Sequence, residues 1–374
     1  MTDRPGQGPE PSRQPRWGQR GTAGASIPAR LTFEGIVQTY GHLDALDEVS
    51  LSVEPGELVC LLGHSGCGKT TLLRVAAGVE APTSGRVLID GQEATGPRSF
   101  VQPEHRGIGL MFQDYALFPH LSVLRNVMFG LKGLPSRDQE ASARRALSRV
   151  GLEHYSGEYP HTLSGGEQQR VALARSIAPR PGILLMDEPF SNLDRRMRDA
   201  IRDETVAILR ETRATTIVVT HDPEEAMRIA DRIVLMRKGR IIQEGSAEEL
   251  YRRPANLFAA RFFCDFNEVS GLVRNRQVVC PLGVFPASHL AEATQAVVCI
   301  RPQGIRLRPA GFCLPGRLLS RRFLGEVELV QIALPGIERP LQGRVRGPVP
   351  VRPGHDVGIE IDPNDVLVFA ASDP

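Results

Sequence analysis

The residues Gly63-His64-Ser65-Gly66-Cys67-Gly68-Lys69-Thr70 place three glycines, a lysine and a hydroxyl in an order suited to holding a phosphate chain. The spacing satisfies G-x-x-x-x-G-K-[ST]. An apolar run, Leu58–Leu62, precedes it and a helical pattern opens at Lys69, the strand–loop–helix context that the motif needs. Glycines let successive backbone N–H groups turn toward one anion, and the positive end of the following helix adds to the field. Lys69 brings a point charge to the β- and γ-phosphates, and Thr70 a hydroxyl for Mg²⁺. His64, Ser65, Cys67 and Thr71 fill out the loop and its exit. An incidental lysine in a glycine-rich turn would not bring both flanks with it, so these residues read as a nucleotide site.

A second apolar run, Ile183–Met186, ends in Asp187-Glu188-Pro189. Alone, two acidic residues at a strand end signify little beyond turn chemistry. Beside a phosphate loop they become its expected other half, with Asp187 holding Mg²⁺ and Glu188 accepting a proton from the attacking water. A third group, Leu163-Ser164-Gly165-Gly166-Glu167-Gln168-Gln169-Arg170, opens a helical pattern with Ser164 and Glu167 at capping-box spacing. On spacing alone this is a well-capped helix and nothing more.

The elements that must position these groups follow from periodicity. Continuous apolar runs at Leu58–Leu62, Ile183–Met186, Thr216–Val219 and Ile233–Met236 read as buried parallel strands. Helical patterns cover Lys69–Ala77, Arg137–Val150, Gly166–Ile177 and Arg196–Arg213. The stretch 113–175 is mostly helical and reads as a subdomain inserted into an α/β core. Beyond about Phe262 the chain changes character, with Pro and Gly punctuating short alternating runs such as Val297–Leu307, Val327–Leu334 and Val357–Ile361. These predict a small all-β domain. Residues 1–28 are rich in Gly, Pro, Gln and Arg and poor in aliphatics, and are expected to be a disordered leader, with order beginning near Leu31.

Composition narrows the class of protein. A chain of 374 residues allows two domains, and its apolar (41%) and charged (24%) fractions are those of an ordinary globular protein. A formal net charge of +2 gives no reason to expect nucleic acid as a partner. Lysine occurs only at Lys69, Lys132 and Lys238, and one of the three falls where the phosphate loop demands it. No apolar run approaches the roughly 18–20 residues that span a bilayer, and the start lacks the apolar core of a secretory signal. Cys60, Cys67, Cys264, Cys280, Cys299 and Cys313 are scattered without a C-x-x-C pair, the usage of reduced thiols in a cytosolic protein.

The octapeptide Leu163–Arg170 resembles the signature motif of ABC ATPases, and other elements of that family fall in order around it. Tyr40 in Gln38-Thr39-Tyr40-Gly41 matches the aromatic that stacks on adenine. Gln113 in Met111-Phe112-Gln113-Asp114 matches the glutamine that touches Mg²⁺, senses the γ-phosphate and meets a permease helix. Ser191-Asn192-Leu193-Asp194 matches the D-loop, with Asn192 where a smaller residue is more familiar. His221, after Thr216–Val219, matches the switch histidine that holds the γ-phosphate. The resemblance implies the following fold: an α/β P-loop ABC ATPase cassette over 29–255, with a RecA-like core and the helical subdomain, then a small all-β OB-like regulatory domain over 262–374. It implies ATP and Mg²⁺ as ligands and a homodimer of cassettes, in which Ser164, Gly165, Gly166 and Asp194 act on the partner's nucleotide. Glu188 and His221 then carry catalysis. Two integral-membrane permease subunits and, indirectly, a solute-binding protein are the implied partners, with this chain at the cytoplasmic face of the inner membrane.

An appended β-domain, rather than fused membrane helices, points to an importer. Wording around 101–123 and 262–271, with Ile300-Arg301-Pro302-Gln303-Gly304 and Phe323-Leu324-Gly325-Glu326-Val327, is most similar to ferric-iron import ATPases. Polyamine, sulfate or another small solute is the alternative. A soluble non-transport ABC ATPase would carry two cassettes or a long coiled-coil insertion, and neither pattern is visible.

Overall fold

The computed structural model describes residues 17–97, 99–191, 193, 195–347 and 351–371. The chain divides into two units, Met1–Ala247 and Glu248–Pro374. In the first, among the described residues, run β1 (Leu31–Tyr40), β2 (Leu43–Val53), β3 (Leu58–Leu62), α1 (Lys69–Ala77), β4 (Ser84–Ile89), β5 (Gln92–Thr95) and β6 (Ile108–Met111). Three helices follow: α2 (Val123–Met128), α3 (Ser136–Arg149) and α4 (Gly165–Ile177). Then come β7 (Ile183–Asp187), α5 (Arg195–Thr212), β8 (Thr215–Thr220), α6 (Pro223–Ile229), β9 (Arg232–Arg237) and β10 (Arg240–Gly245).

The continuous apolar runs become the middle of one sheet, ordered β10-β9-β3-β8-β7-β6. All neighbours in it are parallel except the β9–β10 hairpin. Strands β3, β7 and β8 are buried along their whole length, which is why their sequences show no polar alternation. A second sheet, antiparallel and ordered β2-β1-β4-β5, packs with α1 against the first. Leu31, Phe33 and Ile36 of β1, Leu72 and Leu73 of α1, and Leu185 and Ile217 of the parallel sheet share that core. The parallel arrangement brings the C-terminal ends of β3, β6, β7 and β8 to one edge. In open α/β sheets that edge is where ligands bind.

Helices α2, α3 and α4 lie between β6 and β7 in the chain. Along α4 nearly every residue from Gln169 to Ile177 is buried, the pattern of a helix enclosed by neighbours. Asn126 of α2 is fully buried; its amide nitrogen donates to the carbonyls of Phe118, Leu121 and Ser122, and its side-chain oxygen accepts from Phe118 N.

The expectation of a free leader through residue 28 fails for its later part; residues 1–16 lie outside the described residues. Gly18 N donates to Arg149 O, Ser26 N to Thr212 O and Ala29 N to Gly182 O. Arg20 bonds Glu204 at 2.6 Å, and the Arg170 guanidinium sits 5.2 Å from the Trp17 ring centroid. Scarcity of aliphatics does not exclude this docking, because backbone hydrogen bonds are open to any composition and Arg20 adds an ion pair to Glu204.

Helix α7 (Ala247–Arg252) crosses the division, and α8 (Leu257–Phe263) leads into strands β11 to β20. These are β11 (Asn267–Arg274), β12 (Gln277–Cys280), β13 (Gly283–Pro286), β14 (Gln295–Ile300), β15 (Ile305–Arg308), β16 (Leu314–Phe323), β17 (Val327–Ala333), β18 (Leu341–Arg346), β19 (Asp356–Ile361) and β20 (Val366–Ala370). Two antiparallel sheets, β13-β12-β11-β14-β20 and β15-β19-β16-β17-β18, enclose one core containing Val298, Ile300, Leu318, Ile332 and Ile359. The second unit is therefore all-β beyond its two leading helices, as the alternating runs predict. The run Val297–Leu307 is nonetheless two strands. Pro302 opens a 3₁₀ turn over Pro302–Gly304, because a residue without an N–H ends a ladder.

Candidate nucleotide site

Loop 63–68 leaves the end of β3 and closes onto α1, and two of its glycines are required by space. Gly68 caps α1 at φ 104°, and a Cβ there would lie 2.3 Å from Ala45 O. Gly63 is similarly confined, with a Cβ meeting Met236 O at 2.4 Å. Both obstacles are backbone and cannot rotate away. Gly68→Ala is expected to cost about 1–3 kcal/mol in backbone strain and to displace the loop enough to lose nucleotide binding. A fluorescent ATP-analogue titration checks this, and wild-type affinity in the variant would refute the cradle.

Lys69, 5% exposed, folds back over its own loop. Its Nζ donates to Gly63 O at 2.7 Å and His64 O at 3.0 Å, and lies 3.6 Å from Cys67 Sγ. A cation is thereby fixed at the phosphate cradle. One residue on, Thr70 Oγ1 donates to Asp187 Oδ1 at 3.1 Å, joining α1 to the end of β7. Burial pushes the Asp187 carboxyl above its ordinary range; the Thr70 hydrogen bond, Arg74 and Lys69 oppose that rise, while Glu188 adds to it. A hydroxyl and a carboxylate form a hard-oxygen donor set of the kind Mg²⁺ takes, an ion that completes its shell with waters and phosphate oxygens. Among the described residues no group of three or more His, Cys, Asp or Glu could hold a metal unaided. Thr70 and Asp187 fit a cation that arrives with a nucleotide.

Glu188 turns the chain at the end of β7 with φ 44°, and its N–H donates to Val219 O of β8 at 3.1 Å. That bend aims the carboxylate across the sheet edge. His221 Nδ1, beyond the end of β8, lies 3.3 Å from Glu188 Oε1. Gln113 Nε2, beyond the end of β6, donates to Glu188 Oε2 at 3.4 Å. Three residues singled out separately from sequence thus meet from three strand ends. Asp222 caps α6 by accepting from Glu224 N and Glu225 N, which fixes the turn carrying His221.

Tyr40 ends β1 and is 45% exposed. Its hydroxyl donates to Glu80, and Thr71 and Arg74 of α1 lie alongside. Burial first and Glu80 second raise its pKa. The ring is anchored next to the helix that follows the phosphate loop, with surface left for a base to stack on. Glu80 carries this anchoring and had no signal in the sequence.

Ser164, Gly165 and Gly166 form a separate group at the start of α4. Glu167 Oε2 accepts from Ser164 N at 2.8 Å and from Ser164 Oγ at 2.7 Å, so the two residues at capping-box spacing are bonded. Asp194 and Asn192 of the proposed D-loop lie outside the described residues.

The family model described as "ABC transporter" matches residues 46–191, and that described as "TOBE domain" matches 298–369. The sulfate/thiosulfate import ATP-binding protein CysA 2 of Chromobacterium violaceum is 43% identical over 304 residues, 79% of this chain and 81% of that protein. The Fe(3+) ions import ATP-binding protein FbpC of Streptomyces coelicolor is 39% identical over 347 residues, 92% of this chain and 98% of that one. The putrescine transport ATP-binding protein PotG of Escherichia coli is 39% identical over 321 residues, 81% and 84% of the two chains. Among solved structures, the ATP-binding cassette MJ0796 in a dimeric post-hydrolysis state with ADP and Pi matches with a TM-score of 0.53 at 31% identity, covering 58% of this chain and 98% of that one.

Proposed function

The chain belongs to the ABC transporter family as an ATP-binding subunit with a C-terminal TOBE domain, and from that premise we propose that it hydrolyses ATP to drive ferric-iron uptake through separate membrane-embedded permease subunits. The observation that carries the ATPase reading is the meeting of Gln113, Glu188 and His221 beside the loop that holds Lys69. Iron is favoured by the Streptomyces coelicolor relative, similar along 92% of this chain, and by ferric-iron relatives from Rhizobium etli and Brucella melitensis at 42% and 41% identity. The 43% identity to a sulfate relative and 39% to a putrescine relative keep sulfate and polyamine as the second reading.

In this mechanism the loop amides of Gly63, His64, Ser65, Gly66, Cys67 and Gly68, with Lys69, bind the β- and γ-phosphates of ATP, and Thr71 contributes at the helix start. Tyr40 stacks on adenine. Thr70 and Asp187, with Gln113, would hold Mg²⁺, which when bound neutralises phosphate charge. Glu188 accepts the proton of the attacking water at its carboxylate, and His221 holds the γ-phosphate in line. Two copies pair head to tail, so that Ser164, Gly165, Gly166 and Asp194 of each face the other's nucleotide; the MJ0796 cassette, solved as a dimer, supports that arrangement. Among the described residues no helix is long and apolar enough to cross a membrane. The solute path belongs to two permease subunits fed by a solute-binding protein, with this chain held at the cytoplasmic face of the inner membrane.

Radiolabelled Fe³⁺, sulfate and putrescine uptake in cells lacking this chain tests the proposal. Iron uptake is expected to fall and to return with wild type but not with Glu188→Gln. A fall confined to sulfate or putrescine would keep the importer and replace its solute. No change in any of the three would remove all three solutes and leave another small solute, or a soluble ABC ATPase with no transport role, as the reading.

A further inference from the structure

Gln113 belongs to a turn whose backbone is unusual. Tyr115 and Ala116, two and three residues on, are consecutive non-glycine residues in the left-handed region, at φ 62° and 42°. Side chains with a Cβ disfavour that region, and a pair of them persists only where the surroundings hold it. Tyr115 N donates to Phe112 O at 2.9 Å, which closes the turn around Gln113. The turn's outward carbonyls are held by one side chain of α4. Arg175 Nη2 donates to Tyr115 O and Nη1 to Ala116 O, each at 2.7 Å. The same guanidinium lies 5.7 Å from the centroid of Phe118, whose ring packs on Phe129 at 4.4 Å. Burial lowers the Arg175 pKa, with Asp114 acting against that shift. A planar fork with both arms engaged is a geometry that a single flexible ammonium does not reproduce.

We infer that Arg175 is a positioning residue for ATP hydrolysis: by clamping the carbonyls of Tyr115 and Ala116 it fixes the turn that aims Gln113 at Glu188, and it ties that turn to the helix that Ser164 caps and Gly165 and Gly166 open. Arg175 acts through Gln113. A shift of α4 therefore moves the Gln113 turn with it, which couples the start of α4 to the residue beside the base without a contact between them. The inference rests on the reading of Gln113 and Glu188 as parts of the hydrolytic site.

A double-mutant cycle on the purified full chain tests it, with kcat and KM for ATP measured for Arg175→Gln, Gln113→Ala and the pair. Misplacing a positioned group by about 1 Å can cost about 10²-fold in rate. Arg175→Gln is expected to lower kcat by ~10- to 100-fold, with a rise in KM no larger than that of Gln113→Ala, since the phosphate loop and Tyr40 are untouched. Gln113→Ala added to Arg175→Gln should change kcat by less than about two-fold, because both changes remove one effect. Arg175→Lys, which keeps the charge and reaches one carbonyl at a time, should fall between the two. Should Arg175→Gln not fold, the same cycle is run with Arg175→Lys. A merely structural Arg175 predicts a rise in KM beyond that of Gln113→Ala and the two substitutions multiplying; either result overturns the inference, as does an unchanged kcat in a folded variant. Glu188→Gln on the same preparation separates the premises. Turnover in Glu188→Gln at the wild-type rate removes the site reading itself, whereas an inactive Glu188→Gln beside a normal Arg175→Gln removes only the clamp.

Discussion

Replacing Glu188 with Gln is expected to cut ATP turnover by ~10²–10⁴-fold, the range spanned by loss of a general base, while nucleotide affinity stays within about two-fold. The substitution keeps shape and polarity but removes the ability to take a proton. The backbone features that hold residue 188 do not involve its carboxylate: the N–H bonds Val219 O, and its carbonyl accepts from Ser191 Oγ at 2.9 Å. The left-handed φ of 44° bears equally on either side chain. Single-turnover hydrolysis measured beside equilibrium binding of the same nucleotide gives the answer. Wild-type turnover in the variant would end the base assignment.

Asp187, one residue earlier, is the natural rival for the base, and the two carboxyls sit in different surroundings. The Asp187 side chain is buried and spent on Thr70. Glu188 instead stands between His221 and Gln113 at the open end of the sheet. A group that must meet water belongs in the second environment, and one that must help hold a cation against phosphate belongs in the first. Removing the Asp187 carboxylate should accordingly weaken nucleotide binding in the presence of Mg²⁺, a defect that Glu188→Gln lacks.

The parts of this site that were legible in sequence are those whose chemistry is local. Gly63–Thr70 follows an apolar run and opens a helix, and Ser164 and Glu167 sit three residues apart, so spacing alone brings them together. The parallel strands were visible because burial on both faces leaves unbroken apolar runs. The sheet built on β1 was not read strand by strand. Register shifts between Phe33 and Ile36, between Ile36 and Gln38, and between Gln38 and Thr39 break its two-residue period, and a bulged strand loses the alternation by which strands are found. Arg175 was invisible for another reason: it recognises two backbone carbonyls, which every residue carries, and meets them across a separation of 59 and 60 residues. The docking of residues 17–28 escaped a reading by composition in the same way. It uses main-chain groups of Gly18 and Ser26, and composition is blind to those.

The largest expected effect on stability lies at Arg149, which no motif marks. Its side chain is fully buried, yet it carries a charge, and its guanidinium donates to Glu211 through Nε at 2.9 Å and Nη2 at 2.7 Å. Glu204 lies 3.8 Å away, Gly18 O accepts from Nη1 at 3.5 Å, and Ala23 N donates to Glu211 at 3.3 Å. One buried cation thus joins α3, α5 and the segment 17–29. Removing one partner of such a pair leaves the other uncompensated, and Arg149→Ala is expected to cost about 3–5 kcal/mol, read from the urea midpoint. Arg149→Met with Glu211→Leu should recover much of that loss, since a buried pair replaced as a whole is often neutral. Acid titration adds a second readout. Burial alone pushes the Glu211 carboxyl up, but the Arg149 hydrogen bonds and the amides of Gly21 and Ala23 outweigh it and hold the carboxyl below its ordinary range. A carboxyl held low in the folded chain stabilises it above the ordinary carboxylate pKa, and the contribution drains away as pH falls through the folded value. Wild type should lose stability across that acid window and Arg149→Ala should lose less of it, the contribution being already gone. A variant within about 1 kcal/mol of wild type at neutral pH, with the same acid slope, would mean the pair is solvated and holds nothing together.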